Sequence, residues 1–103
     1  MKLKNDICMK KGKKIRTCYS YAYRVEHRLQ YVKVRIEMYE HYVVTELIDE
    51  GYNKFAKFGY QVSANKNNIN EYKKLLVANG VHSLNVDDCV RIVNDYVIRG
   101  IKN

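Results

Sequence analysis

The sequence predicts an α+β domain in which a small antiparallel sheet, a hairpin plus a short strand, precedes about three helices packed on one face. Two observations support this fold class. Apolar and polar side chains alternate over residues 15–38, with many β-branched and aromatic residues among them, which is typical of strands. After residue 47 apolar residues recur at helical spacing, and glycines follow the segments they form. A sheet of this kind must bury one face, so we expect the helices to cover it.

The first two strands are predicted over residues 15–27 and 29–38, joined by a turn near His27 and Arg28. No Asn-Gly or Asp-Gly pair fixes the type of this turn. Residues 42–44 indicate a short third strand. Because alternate residues share a face, one face of the first strand is expected to carry a row of aromatic rings: Tyr19, Tyr21 and Tyr23.

Three helices are predicted after the strands. The first would carry its apolar residues on one face, with Thr45 or Asp49 as its N-cap and Gly59 as its stop. Its apolar face would consist of Leu47, Ile48, Tyr52, Phe55 and Phe58. A short extended piece over residues 60–63 and a polar loop over residues 64–68 would follow.

The two C-terminal helices have clearer limits in the sequence. Asn68 is the expected cap of one, which would end at Gly80, and Asn85 is the expected cap of the other, which would end at Gly100. Asp87 and Asp88 would then lie in the first turn of the last helix, where the helix dipole favours negative charge.

Charge is concentrated at the start of the chain. The net charge is +8, and residues 1–16 contain seven lysines and arginines against a single acidic residue, Asp6. We therefore divide the chain into a flexible basic arm, residues 1–14, and a single α+β domain, residues 15–103. A basic arm ahead of a nearly neutral domain is a common electrostatic signature of phosphate binding. The alternative is a solvated terminus that only aids solubility.

Cysteine and histidine usage argues against a metal or disulfide framework. The three cysteines form no CxxC pair, and the three histidines are scattered. No phosphate-binding glycine motif occurs, and no group of residues has the spacing of catalytic machinery. We expect a cytoplasmic, non-catalytic protein that needs no cofactor and no metal and does not enter a membrane, since no apolar run approaches about 20 residues.

The predicted hairpin combines tyrosines with cations. Successive rings can stack on bases while the cations neutralise phosphates. The competing interpretation places the tyrosines in the core or in a protein interface, because β-propensity alone favours them on a buried strand face. The candidate stacking or interface residues are Tyr19, Tyr21, Tyr23 and Tyr31. The candidate nucleic-acid-binding cations, expected to form one continuous positive surface, are Lys10, Lys11, Lys13, Lys14, Arg16, Arg24, Arg28, Lys33 and Arg35.

Residues 29–76 resemble a region that precedes the ATPase in helicases of mobile genomic islands. That region has a strand ending in a V-x-x-x-x-L turn, a short helix, a G-hydrophobic-x-V extended piece, an asparagine-rich turn and a helix closing on leucines. The matching residues are Val44, Leu47, Phe55, Phe58, Gly59, Tyr60, Val62, Asn65, Asn67, Tyr72 and Leu75. The resemblance covers about half of the chain and does not include the ATPase, so it implies no helicase activity.

In size, charge and its lysine, asparagine and tyrosine usage, the chain also resembles the small middle proteins of staphylococcal cassette replication operons. Members of that group partner an A-family DNA polymerase and allow it to start primers. The resemblance implies an accessory protein of a mobile-element replication module, with DNA (single-stranded rather than duplex) and a replication enzyme such as a DNA polymerase as partners.

Two other functions fit the sequence. The first is a phage- or plasmid-encoded inhibitor of a host defence protein, which would act by protein–protein contact through the tyrosine face. The second is a dimeric structural protein whose tyrosine sheet pairs with itself.

Overall fold

The first two strands form the long antiparallel hairpin that the alternating pattern predicted. The computed structural model describes residues 12–25, 29–62 and 68–99. Strand β1 spans Lys14–Val25 and β2 spans Leu29–Tyr39. Ala22 lies opposite Val32 and Tyr21 opposite Lys33, so the small and apolar residues share one face and the tyrosines share the other. The predicted turn at His27 and Arg28 lies outside the described residues, as do Lys10, Lys11 and residues 64–67.

Two further strands complete an antiparallel sheet in the order β1-β2-β3-β4. Strand β3 spans Tyr42–Ile48, which is longer than the predicted residues 42–44, and β4 spans Lys54–Gln61. Tyr60, which the sequence placed in a separate extended piece, belongs to β4, and Ser63 lies outside the described residues.

The prediction of a first helix is wrong, because its residues belong to two strands and the turn between them. Leu47 and Ile48 belong to β3, and Phe55 and Phe58 belong to β4. Phe58 pairs with Thr45, which places its ring on the core side of the sheet. The predicted caps therefore have other roles: Gly59 pairs within the sheet, and the Asp49 carboxylate accepts a hydrogen bond in the β3–β4 turn.

The described residues contain two helices, where the sequence predicted about three. Helix α1 spans Asn70–Ala78 and α2 spans Ser83–Arg99. Ile69 occupies the N-cap of α1 and makes no side-chain capping bond, so the predicted cap Asn68 lies one residue too early. Helix α2 starts two residues before its predicted cap, and its first turn therefore contains no acidic residue. The predicted stop at Gly100 lies outside the described residues.

Both helices pack on the same face of the sheet and enclose the core. Tyr72 and Leu76 of α1 and Cys89 and Val93 of α2 are fully buried against the apolar residues of the strands. Inside the core, Thr45 Oγ1 and Tyr72 Oη lie 2.7 Å apart and share a hydrogen bond. Burial raises the pKa of the Cys89 thiol to about 11, and this cysteine packs as a small apolar residue.

The segment between the helices attaches them to the edge of the sheet. The Val25 N–H donates to the Gly80 carbonyl at 2.8 Å, and the His82 N–H donates to the Tyr23 carbonyl at 2.7 Å. Asn85 was predicted to cap the last helix. Instead, its Oδ1 accepts a hydrogen bond from the Tyr23 N–H at 2.8 Å. Gly80 has a φ of +90°, a conformation that glycine adopts without steric cost.

Within the part of the chain that the structure describes, neither helix is long and apolar enough to cross a lipid bilayer.

Candidate functional site

The four candidate tyrosines lie on the sheet face opposite the helices, which we call the open face. Their exposed fractions are 54% for Tyr19, 49% for Tyr21, 40% for Tyr23 and 54% for Tyr31. The interpretation that they form the core is therefore wrong. The reason lies in β2: its apolar residues set the core face, and the register places Ala22, not a tyrosine, beside Val32.

The tyrosines form one continuous aromatic surface, the tyrosine row (Tyr19, Tyr21, Tyr23 and Tyr31). The rings of Tyr21 and Tyr31 are stacked, with centroids 5.6 Å apart and planes inclined by 8°. The Tyr23 ring is tilted against Tyr31 at 5.2 Å. Tyr19 extends the row, and the ammonium of Lys33 lies 5.3 Å from its ring centroid, within the range of a cation–π contact.

Among the described residues, the predicted cations do not all lie on one surface. Arg24 lies on the helix-covered side, where its guanidinium is 4.8 Å from the Phe55 ring centroid. Arg16 pairs with buried Met38 and is therefore directed to the same side as the helices. Lys13 lies at the start of β1, where its backbone N–H and carbonyl bond to Glu40. The other predicted cations either share the open face, namely Lys14, Lys33 and Arg35, or lie outside the described residues, namely Lys10, Lys11 and Arg28.

Arg35 is on the open face but is already paired with carboxylates. Its Nε donates to Glu46 Oε1 at 2.9 Å, and its Nη2 donates to the same oxygen. The Oε2 atom of Glu37 lies 3.9 Å from Arg35 Nε. The hydrogen bond to Glu46 is the main cause that raises the pKa of Arg35 above its ordinary value. Lys33, by contrast, has no carboxylate within 4 Å among the described residues, so its charge is available to a ligand.

No match was found. Comparisons with protein-family models, with curated proteins and with solved structures each returned nothing similar to this chain. The described residues also contain no group of histidine, cysteine or acidic side chains placed to hold a metal ion.

A second group of charged residues on the open face was missed by the sequence analysis. Glu46 is nearly buried, with 4% of its side chain exposed, and its Oε2 lies 3.3 Å from Lys54 Nζ and 3.5 Å from Lys57 Nζ. Burial alone would raise the pKa of Glu46, but the hydrogen bonds and positive charges of Arg35 and Lys54 outweigh it and lower the pKa below its ordinary value of 4.5. Three cations surround this one carboxylate, so the group has an excess of positive charge.

These residues were missed because the segment was predicted as a helix. Only the pairing of β3 with β4 sets Glu46 opposite Lys57. The signal that would have found the strand is the alternation of Phe58, Tyr60 and Val62, all three of which are buried.

A groove separates the tyrosine row from the β3–β4 turn. It has a volume of about 440 Å³, which lies within the range of about 300–1,000 Å³ that is usual for small-ligand sites. Its far wall is formed by Asp49, Glu50 and Tyr52. Tyr52 is 82% exposed and has a φ of +65°, which is uncommon for a residue other than glycine.

Proposed function

We propose that this protein binds single-stranded nucleic acid through the tyrosine row. The observation that carries the proposal is the exposure of four neighbouring aromatic rings on the open face of a sheet whose other face is buried. Rings held at the surface of a sheet are a sequence-tolerant platform for unpaired bases. In a duplex the base faces are covered by their neighbours, so a stacking platform favours single strands.

Lysines beside the rings supply the contacts to phosphate. Lys33 lies next to Tyr19, and the excess positive charge around Glu46 comes from Lys54 and Lys57 of β4. A strand whose bases stack on the tyrosine row has its phosphates within reach of cations on the same face. Aromatic rings interleaved with cations are the usual composition of single-strand binding surfaces.

The proposed role is that of a non-catalytic accessory protein in the cytoplasm, within the replication module of a mobile genetic element. There it would hold a single strand beside a DNA polymerase and assist primer synthesis. The open face and its lysines support the nucleic-acid part of this role. The polymerase part is supported by the sequence resemblance alone.

The proposal is tested by the affinity of the full chain for a fluorescently labelled 12-residue oligothymidine, measured by anisotropy. We expect Tyr21→Ala/Tyr31→Ala to weaken binding at least tenfold, because each stacked base contributes about 1–3 kcal/mol. The Tyr21→Phe/Tyr31→Phe variant keeps both rings and should bind within about threefold of the parent protein.

The matched control removes two apolar side chains of α2 that are more exposed than the tyrosines. Leu84 and Ile98 are 76% and 72% exposed, and Leu84→Ala/Ile98→Ala should leave the affinity unchanged. Unchanged binding by the tyrosine-to-alanine variant would contradict the proposal. So would recovery of a host defence protein from nuclease-treated lysate through the tyrosine row, in the absence of any affinity for oligonucleotides, because that result identifies an inhibitor.

A further inference from the structure

The groove beside the tyrosine row is lined by aromatic rings and by charged side chains, among them Lys33 and Arg35. Tyr19, Tyr21 and Tyr31 form one wall, and Tyr52 stands on the other with Glu50 beside it. Lys33 lines the groove between them. The combination suits a flat aromatic ligand that carries a negative charge, which is the chemistry of a nucleotide unit.

The turn that carries Tyr52 is held by backbone and side-chain hydrogen bonds of Asp49. The Asp49 N–H donates to the Asn53 carbonyl at 3.1 Å, and the Tyr52 N–H donates to the Asp49 carbonyl at 3.0 Å. The Asn53 N–H donates to Asp49 Oδ1 at 2.8 Å. The turn therefore holds the Tyr52 backbone at a φ of +65°, a conformation that glycine would adopt at lower cost. Since its ring is 82% exposed, packing in the core does not account for a tyrosine at this position.

The two carboxylates in the turn differ in their availability. Both oxygens of Asp49 bond to Asn53, one to its N–H and the other to its Nδ2 at 3.3 Å. Glu50 is exposed and makes no side-chain hydrogen bond or ion pair with any other described residue. A carboxylate of this kind is a pure acceptor with room for two donors.

We propose that this groove selects a guanine base of the bound strand, an inference that rests on the function proposed above. The base lies between Tyr52 and the tyrosine row, its N1–H and 2-amino group donate to the Glu50 carboxylate, and Lys33 contacts the adjoining phosphate. Guanine is the base whose pairing edge has two adjacent donors. Adenine and cytosine place one donor next to an acceptor, and thymine places its single donor between two acceptors, so each directs a lone pair at the carboxylate.

The test compares 12-residue oligothymidines that carry one central guanine, adenine, cytosine or deoxyinosine. We expect the guanine oligonucleotide to bind about tenfold more tightly than oligothymidine, in line with the discrimination of a good bidentate contact. Deoxyinosine lacks the 2-amino group and should lose most of that gain. Glu50→Gln should reduce the guanine preference to within about twofold, whereas Glu71→Gln, a control at an exposed position of α1, should retain it.

The outcomes separate this inference from the proposed function. Equal binding of all the central bases, or a guanine preference that persists in Glu50→Gln, overturns the guanine site while oligothymidine binding still supports the tyrosine row. A preference for adenine or cytosine also overturns it. Failure of oligothymidine itself to bind overturns the proposed function, and the guanine site with it.

Discussion

Glu46 illustrates how a single residue organises the open face. Its carboxylate is nearly buried among Arg35, Lys54 and Lys57, and hydrogen bonds to a charged group contribute about 1.5–3 kcal/mol to stability. We expect Glu46→Gln to lower the free energy of unfolding at neutral pH by about that amount, measured by urea denaturation. Asp87→Asn, at an exposed position of α2, should change it by less than about 0.5 kcal/mol.

The same residue gives the stability a pH dependence of definite sign. Because the pKa of Glu46 is lowered in the folded protein, its contribution is complete above the ordinary value of 4.5 and is lost as the pH falls through the folded value. The difference in unfolding free energy between the parent protein and Glu46→Gln should therefore shrink below pH 4.5. A difference that stays constant down to pH 3 would show that the carboxylate is not stabilised by these cations.

At the residue scale the sequence revealed the alternation in β1 but not which of its faces is buried. The tyrosines have higher β-propensity than the small residues on the other face of β1. Propensity alone therefore favoured the interpretation that the tyrosines form the core. Which face of β1 is buried depends on β2, where Val32 and Val34 are buried, and on the register that sets Ala22 beside Val32. Strand register is a property of two strands together and is not fixed by either one.

The connection between α1 and α2 depends on a glycine in the left-handed conformation. Gly80 has a φ of +90°, and an added Cβ would lie 3.2 Å from the Val25 carbonyl oxygen. We expect Gly80→Ala to destabilise the protein by about 1–2 kcal/mol, since the left-handed conformation carries roughly that cost for other residues. The measurement is the free energy of unfolding in urea.

Gly51 provides the matched control for this change. It has no positive φ, and an added Cβ would meet its nearest neighbour, Asp49 Oδ1, at an ordinary distance of 3.5 Å. Gly51→Ala should therefore be neutral or stabilise the protein by up to about 1 kcal/mol, because it restricts the unfolded chain. Equal destabilisation by both substitutions would contradict the assigned conformations.

At the element scale the sequence predicted β1, β2 and the two C-terminal helices, but it missed β4. The spacing of Leu47, Ile48, Tyr52, Phe55 and Phe58 fits a helical face by coincidence, because it runs across the turn between two strands. A short apolar run can fit either a helical or a strand spacing, and here only the pairing with β3 identifies the strand. Because β4 was not predicted, the charged group around Glu46 was not predicted either.

In the part of the chain that the structure describes, helices cover one face of the sheet, and the other face carries the tyrosine row and several lysines. If the open face binds phosphates, the affinity for oligothymidine must fall with salt, with a logarithmic slope of about −0.7 for each phosphate neutralised. We expect Lys33→Gln to make the slope shallower by about 0.7. Joint replacement of Lys10, Lys11, Lys13 and Lys14 by glutamine should make it shallower by up to about 3.

The control for the salt dependence is a lysine on the opposite side of the molecule. Lys73 is exposed on α1, so Lys73→Gln should leave the slope unchanged although it removes the same charge. An equal effect of Lys33→Gln and Lys73→Gln would mean that net charge, and not the open face, determines binding.

If a single strand binds the open face as proposed, the attachment of Lys13 to Glu40 marks one end of its path. Hydrogen bonds of 3.0 and 3.1 Å join the two residues, so Lys13 lies at the corner beside the β2–β3 turn. Tyr23 lies nine residues further along β1, which at about 3.3 Å per residue places it roughly 30 Å from Lys14. A ligand that touches both ends must therefore lie lengthwise on the hairpin. Its footprint is on the order of 4–8 nucleotides, in the lower half of the range known for compact single-strand binding domains.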